Sequence, residues 1–236
     1  MIGDGRISVT PGSARTADGT CERQEPPASG SRGGSTKRRR NVAKRILDLT
    51  FTTLSSPIWV PAMALLGVVV KQEDGGPMIY RRRVVGTGGD FDAFKLRTMR
   101  VDADRWLAEN PRLLEEYQKS FKLKEDPRIT RVGRFLRRYS LDELPQLLNV
   151  LKGQMTLVGP RMITPPELEK YGSYQDLLLS VKPGLTGYWQ VSGRQEVSYE
   201  ERVDMDVFYI QNWSLWFDFK ILWKTLWKVL KREGAY

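Results

Sequence analysis

From Leu49 to Val70 the chain runs 22 residues without a charge. As one helix this segment would be roughly 33 Å long at ~1.5 Å per residue, about the hydrocarbon thickness of a bilayer. A helix that is apolar on every side belongs in a large core or in a membrane. Basic residues flank both ends: Lys37 to Arg45 before it, Lys71 and Arg81, Arg82 and Arg83 after it. Cationic flanks favour the cytoplasmic side, and a straight span can satisfy only one of them. Inside the run stand Ser55-Ser56-Pro57 and then Pro61. Pro57 lacks an N–H and its ring clashes with the turn behind it, while the serines can donate to the freed carbonyls. The expectation is a re-entrant membrane helix-break-helix over residues 41–73, broken at Ser56-Pro57, with both ends on one face.

A second membrane signal lies at the other end. Residues 212–232 read as an amphipathic helix. Lys220, Lys224 and Lys228 form one stripe; Trp216, Phe219, Trp223, Trp227 and Leu230 form another. Trp with Lys favours the headgroup region. A domain-packing helix with an exposed Lys face is the competing reading.

Charge and composition narrow the chemistry. The chain carries 38 Lys+Arg against 28 Asp+Glu, a net of +10. Residues 1–45 hold ten basic and four acidic groups, more than half of the excess. Residues 1–40 read as a disordered basic tail, because so few apolar side chains cannot offset the entropy of ordering. Such a tail suits an anionic inner leaflet or a nucleic acid. No nucleic-acid module is recognisable, so nucleic acid is not expected as a partner. With no His and a single Cys, His-based triads, His-ligated metals and disulfide frameworks are excluded. Carboxylates, Lys, Arg, Tyr or hydroxyls must carry any catalysis.

Residues 74–236 read as the catalytic domain. Met78–Val85 and Phe91–Thr98 have strand character around a Gly86-Thr87-Gly88-Gly89 turn. Lys95 and Arg97 alternate with apolar neighbours and so face one side, a solvated face or half of an anion site. Residues 101–122 read as a helix interrupted at Pro111. Arg128, Arg131, Arg134, Arg137 and Arg138 follow within eleven residues, a phosphate-binding pattern or a plain basic helix face.

Next comes Ser140-Leu141-Asp142-Glu143. S-x-x-E is a capping box, so Glu143 could reach back to a helix capped by Ser140. The catalytic reading uses the same helix start. A helix N-terminus and nearby Arg would keep Asp142 ionised and welcome phosphate. Neighbouring carboxylates point ~100° apart on a helix, so one could attack a phosphoryl group while the other orients it or shares a metal. Oxygen ligands beside phosphate imply Mg²⁺ at Asp142 and Glu143. Downstream, Leu157-Val-Gly-Pro-Arg161 looks like a strand ending in a turn that presents Arg161. The Gly-rich stretch Val181–Arg194 suits a sugar- or base-binding loop, or simply a set of turns.

The segment from Arg137 through SLDELPQL to Val158-Gly-Pro-Arg161 resembles the signature of the bacterial sugar transferase family, the monotopic polyprenyl-phosphate sugar-1-phosphate transferases. The likeness extends through Phe94-Lys-Leu-Arg-Thr-Met99, Lys182-Pro-Gly-Leu-Thr-Gly187, Val191-Ser-Gly-Arg194 and Asn212-Trp-Ser214. The short form is most similar to enzymes that start exopolysaccharide repeat units. The resemblance implies transfer of a sugar 1-phosphate from a UDP-sugar to undecaprenyl phosphate, with release of UMP, Mg²⁺ as cofactor and a covalent phospho-sugar on Asp142. Glu143 would complete the dyad, Arg137 would hold the lipid phosphate, and Lys95, Arg97 and Arg161 would bind substrate. The expected fold is α+β, mostly helical with short strands, anchored at the bacterial inner membrane with the catalytic domain cytoplasmic; oligomeric state is open, with a homodimer as a candidate. The family's Pro-Arg-Pro turn reads Pro160-Arg161-Met162 here, and a looser turn is expected. A scaffold acting only through partners, and a basic nucleic-acid-binding protein, are the alternatives.

Overall fold

The computed structural model describes residues 34–120, 123, 125–192 and 197–231; the side chains of 34–41, 119, 120 and 230 lie outside that description. The expected tail therefore falls almost wholly outside the described residues, as do Arg194 and the Leu230 side chain. By its internal contacts the chain divides into Met1–Arg39 and Arg40–Tyr236, and the second unit carries the fold.

Two long helices come first, α1 (Gly34–Leu54) and α2 (Ser56–Asp74). Their axes bend by 62° at the break. Proline chemistry accounts for it. Pro57 stands in the first turn of α2, where a missing N–H costs least. Ser56 Oγ donates to Thr53 O at 2.8 Å, the carbonyl that the Pro57 N–H would otherwise serve. Ser55 Oγ donates to Phe51 O at 2.7 Å and the Trp59 indole N–H to Thr52 O at 3.0 Å. Among the described residues no single helix is long and apolar enough to cross a membrane, though this bent pair is by length and composition.

Strands β1 (Ile79–Val84) and β2 (Phe91–Leu96) form an antiparallel hairpin across the glycine turn, with Tyr80 opposite Lys95 and Arg82 opposite Ala93. The expected 101–122 helix is two, α3 (Ala103–Ala108) and α4 (Pro111–Ser120), divided where Pro111 starts the second. Helix α5 (Arg131–Arg138) is capped by Thr130 Oγ1, which accepts from Gly133 N–H at 2.9 Å. Then come α6 (Gln146–Leu151), β3 (Thr156–Val158), α7 (Pro165–Leu168), α8 (Gln175–Leu179), β4 (Gly184–Thr186), α9 (Tyr188–Ser192), α10 (Tyr199–Gln211) and α11 (Leu215–Lys231). The fold is thus mixed and mostly helical with short strands. The Gly-rich stretch holds a strand and a helix: β4 pairs parallel with β3. Gly184 is required there, since a Cβ would lie 2.1 Å from Gly159 N.

The main core joins Val84, Phe91 and Ala93 of the hairpin to Val150, Met155, Leu157, Val158, Val191, Tyr209 and Ile221. Met162 is buried in it, and the backbone around it is pinned by Gly184 N–H to Pro160 O (2.9 Å) and Val85 N–H to Ile163 O (3.0 Å). Where a second proline would stiffen the turn, packing and these bonds hold it.

Buried polar ties fix α1 to the rest. Asp48, 3% exposed, accepts from Thr156 Oγ1 at 2.7 Å and Leu157 N–H at 3.0 Å. Asp218 of α11 receives Lys44, Tyr209 Oη (2.7 Å) and Trp213 Nε1 (3.0 Å). The outer faces are apolar. Phe51, Leu54, Ile58 and Leu65 on the bent pair, and Trp216, Phe219, Trp223 and Trp227 on α11, are all more than half exposed. Helix α11 both packs into the domain, through Ile221, and presents aromatics outward.

Candidate active site

Asp142 and Glu143 lie in a single 3-10 turn, Leu141–Glu143, between α5 and α6. The capping box expected at Ser140 does not form. Ser140 sits in the left-handed region (φ 55°, ψ 24°) and makes no side-chain cap, whereas an N-cap needs extended backbone. Two other S/T-x-x-E stretches do form the box, Thr164 with Glu167 and Ser198 with Glu201, and both caps are extended. Free of that duty, Glu143 takes a different partner: Lys95 Nζ lies 2.7 Å from its Oε1 and 4.0 Å from Asp142 Oδ2.

The position of the turn is set by the hairpin. Asn149 of α6, fully buried, accepts Phe94 N–H at 3.0 Å and donates to Asp92 O at 2.8 Å. This clamps α6 to β2 and brings Lys95 against the dyad. Asn149 was not among the expected site residues; nothing in its sequence context separates it from an ordinary helix residue.

The electrostatics differ from the helix-terminus expectation. Asp142 is 8% exposed, and burial pushes its carboxyl above the ordinary value, with Lys95 and Arg137 opposing and Glu143 adding to the rise. A 3-10 turn of three residues offers little dipole, and Lys95 and Arg137 only partly offset the rise from burial. Arg137 donates through Nε to Thr98 Oγ1 at 2.9 Å, and burial holds its own pKa below the ordinary value against the pull of Asp142.

The five-Arg cluster separates. Arg128 is buried against Asp126 at 2.7 Å, with its guanidinium over the Tyr117 ring. Arg131, Arg134 and Arg138 are exposed. Arg137 acts on Asp142. Arg97 also stands apart: β2 ends at Leu96, the alternation lapses, and the Arg97 guanidinium pairs with Asp74 and Val70 O at the end of α2. It ties the bent helix pair to the hairpin and does not join the dyad.

Arg161 follows β3, its guanidinium 5.1 Å from the Trp189 ring centroid. Burial lowers its pKa, with Arg202 and Arg82 adding and Glu143 opposing. Arg202 of α10 lies over Tyr199 at 4.0 Å and Trp189 at 5.5 Å. Glu167 receives Arg82 at 3.4 Å and Arg202 at 3.9 Å. Sequence reasoning missed Arg82 as a site residue, and Glu167 and Arg202 altogether, since 120 positions separate Arg82 from Arg202.

A metal would have two protein carboxylates to bind. Among the described residues no group of three or more His, Cys, Asp or Glu side chains is suited to a metal. Mg²⁺ commonly takes one or two carboxylates and completes its shell with water and substrate phosphate. The buried, cation-seeking Asp142 with Glu143 beside it fits that donor set.

Residues 39–232 match the bacterial sugar transferase family model. The chain belongs to the bacterial sugar transferase family. Among curated members it is 49% identical over 205 residues to the undecaprenyl-phosphate galactose phosphotransferase of Salmonella typhimurium, covering 85% of this chain and 43% of that one. It is 48% identical over 200 residues to an uncharacterized sugar transferase of Haemophilus influenzae, covering 83% and 42%. It is 45% identical over 200 residues to the exopolysaccharide production protein ExoY of Sinorhizobium fredii, covering 83% and 88%. The chain thus spans about two-fifths of the first two of these curated members and most of the third.

Proposed function

We propose that this family member transfers a sugar 1-phosphate from a UDP-sugar to undecaprenyl phosphate and releases UMP, as the first membrane step of exopolysaccharide synthesis. The relatives' names carry the substrate class. The chemistry is supported by one observation: a buried Asp142 beside Glu143, both faced by Lys95, with Arg137 acting on the same carboxyl.

In this reading an Asp142 oxygen attacks the phosphorus that bears the sugar. The bond from that phosphorus to the bridging oxygen breaks, and UMP leaves with the electron pair. The acyl phosphate left on Asp142 carries the sugar. An oxygen of undecaprenyl phosphate then attacks the same phosphorus and returns Asp142 as a carboxylate. No proton transfer is required, which suits a site without His. Lys95 anchors Glu143 and moderates the charge on Asp142. Arg137 is oriented by Thr98 and neutralises the incoming lipid phosphate, and Arg161 takes the donor side. Mg²⁺, held by Asp142, Glu143 and substrate oxygens, would supply charge neutralisation at the diphosphate.

The acceptor lies at a membrane surface, so the site must too. The bent pair is read as a re-entrant hairpin over residues 41–73, broken at Ser56-Pro57, and α11 as an interfacial helix. Domain 74–236 then faces the cytoplasm, where UDP-sugars are made. The assay is UMP release from a panel of UDP-sugars with undecaprenyl phosphate. Asp142→Asn is expected to lose at least about 10³-fold in rate, as removal of a covalent nucleophile does. Wild-type UMP release by this variant would refute the mechanism.

A further inference from the structure

Behind Arg161 the domain holds buried donors that the dyad chemistry leaves unused. Arg202 Nε and Nη2 and Trp189 Nε1 are shut off from solvent and have no hydrogen-bond partner among the described residues. Buried donors are ordinarily satisfied, and an orphan calls for an absent acceptor. One buried acceptor nearby, Asp206 Oδ1, is also unpartnered, so the three donors outnumber it and call for a further acceptor.

The charges agree. Arg82, Arg161 and Arg202 come from β1, the turn after β3 and α10. Arg161 is acted on by Arg202 and by Arg82, and Arg82 also acts on Arg137. Arg161 and Arg202 lie over the same Trp189 ring, at 5.1 and 5.5 Å, and Arg82 shares Glu167 with Arg202. Glu167 is the carboxylate bridging Arg82 and Arg202. Asp206, the other nearby carboxyl, is raised to about 7 and gives Arg202 only part of a counter-charge. The guanidinium of Arg202 lies against the Tyr199 and Trp189 rings, which fixes its plane. Like charges gathered and held in this way repel unless an anion joins them.

We infer that Arg202, with Trp189 and Arg82, is a further substrate-binding element that grips the nucleotide phosphate of the donor, the phosphate destined to leave. This rests on the reading of the chain as a UDP-sugar phosphotransferase. In that reading Arg137 and Lys95 serve the transferred and acceptor phosphates, and the Arg82–Arg161–Arg202 side takes the leaving nucleotide.

The test is UDP binding by calorimetry on the full chain in detergent, together with donor and acceptor KM. Arg202→Met should weaken UDP by at least about tenfold and raise donor KM similarly, as loss of a charge-assisted contact does. Acceptor KM should stay within about twofold, since the lipid phosphate is served from the Arg137 side, and Arg202→Lys should recover part of the loss. Wild-type UDP affinity in folded Arg202→Met would overturn the inference. If that variant does not fold, Arg82→Gln on the strand edge decides by the same criterion. Loss of UMP release in Asp142→Asn with unchanged UDP binding in the arginine variants would leave the phosphotransferase standing and remove only this element.

Discussion

Asp206 illustrates how one buried carboxyl acts on the whole domain. Its Oδ2 accepts Tyr171 Oη at 2.8 Å while Oδ1 is buried without a partner among the described residues. Burial raises it to about 7, with the Tyr171 bond and Arg202 opposing. Between about pH 4 and 7 the folded chain therefore keeps a proton that the unfolded chain has lost. Its contribution is complete below the unfolded value and falls as pH rises through that window, at up to about 1.4 kcal/mol per unit. Asp206→Asn is expected to flatten the decline of thermal stability between about pH 4 and 7. An unchanged slope would show that other groups govern it. At this scale the site was partly legible in the sequence. Asp142, Glu143, Lys95, Arg137 and Arg161 stand in short motifs that bring charge to one place. Arg97 turns to Asp74 and Val70 O, because a strand's period ends where the strand ends. The capping reading of Ser140 fails because S-x-x-E specifies a cap only where the serine backbone is extended, and φ is not written in the sequence.

At the scale of elements, α5 shows how packing aims a side chain. Gly133 presses on the residue that orients Arg137: a Cβ there would stand 2.0 Å from Thr98 O. Backbone cannot yield as a side-chain tip does, so Gly133→Ala should displace α5. We expect a loss of about 1–3 kcal/mol, as for other overpacked sites, and a fall in kcat/KM as Arg137 moves from Thr98. Chemical denaturation and steady-state kinetics read the two effects; unchanged stability would contradict the close contact. The hairpin and the divided α3–α4 helix were legible from alternation, glycine and proline. The parallel β3–β4 pair was only half legible. Its first strand reads as one, but its partner is three residues inside a Gly-rich stretch, and their pairing depends on residues nearly thirty positions apart.

For the whole molecule, the two exposed apolar surfaces bear on where it resides. More than half of Leu54, Ile58 and Leu65 on the bent pair, and of Trp216 and Trp223 on α11, faces outward. Large exposed apolar patches mark interaction or membrane surfaces. In a Cys21→Ser background, single cysteines added near residues 30 and 75 should be labelled from the same side of sealed inverted vesicles. Labelling from opposite sides would defeat the re-entrant arrangement. Replacing Trp216, Trp223 and Trp227 together by Ala should shift protein from the membrane to the soluble fraction without loss of helix content, since none of the three is buried. In the proposed reading, the polyanion suggested by a charge of +10 becomes a lipid surface for the outer faces and substrate phosphates for the cations around the dyad.

The central claim is the covalent step. Incubating the protein with a UDP-sugar labelled at the sugar-bearing phosphate, without acceptor, should attach label to the chain at no more than one per molecule. One UMP should appear for each label, and peptide mapping should find it on Asp142. Adding undecaprenyl phosphate should then discharge it. A wild-type chain that turns over with both substrates yet never carries the label, or an Asp142→Asn chain labelled to the same extent, would contradict the mechanism.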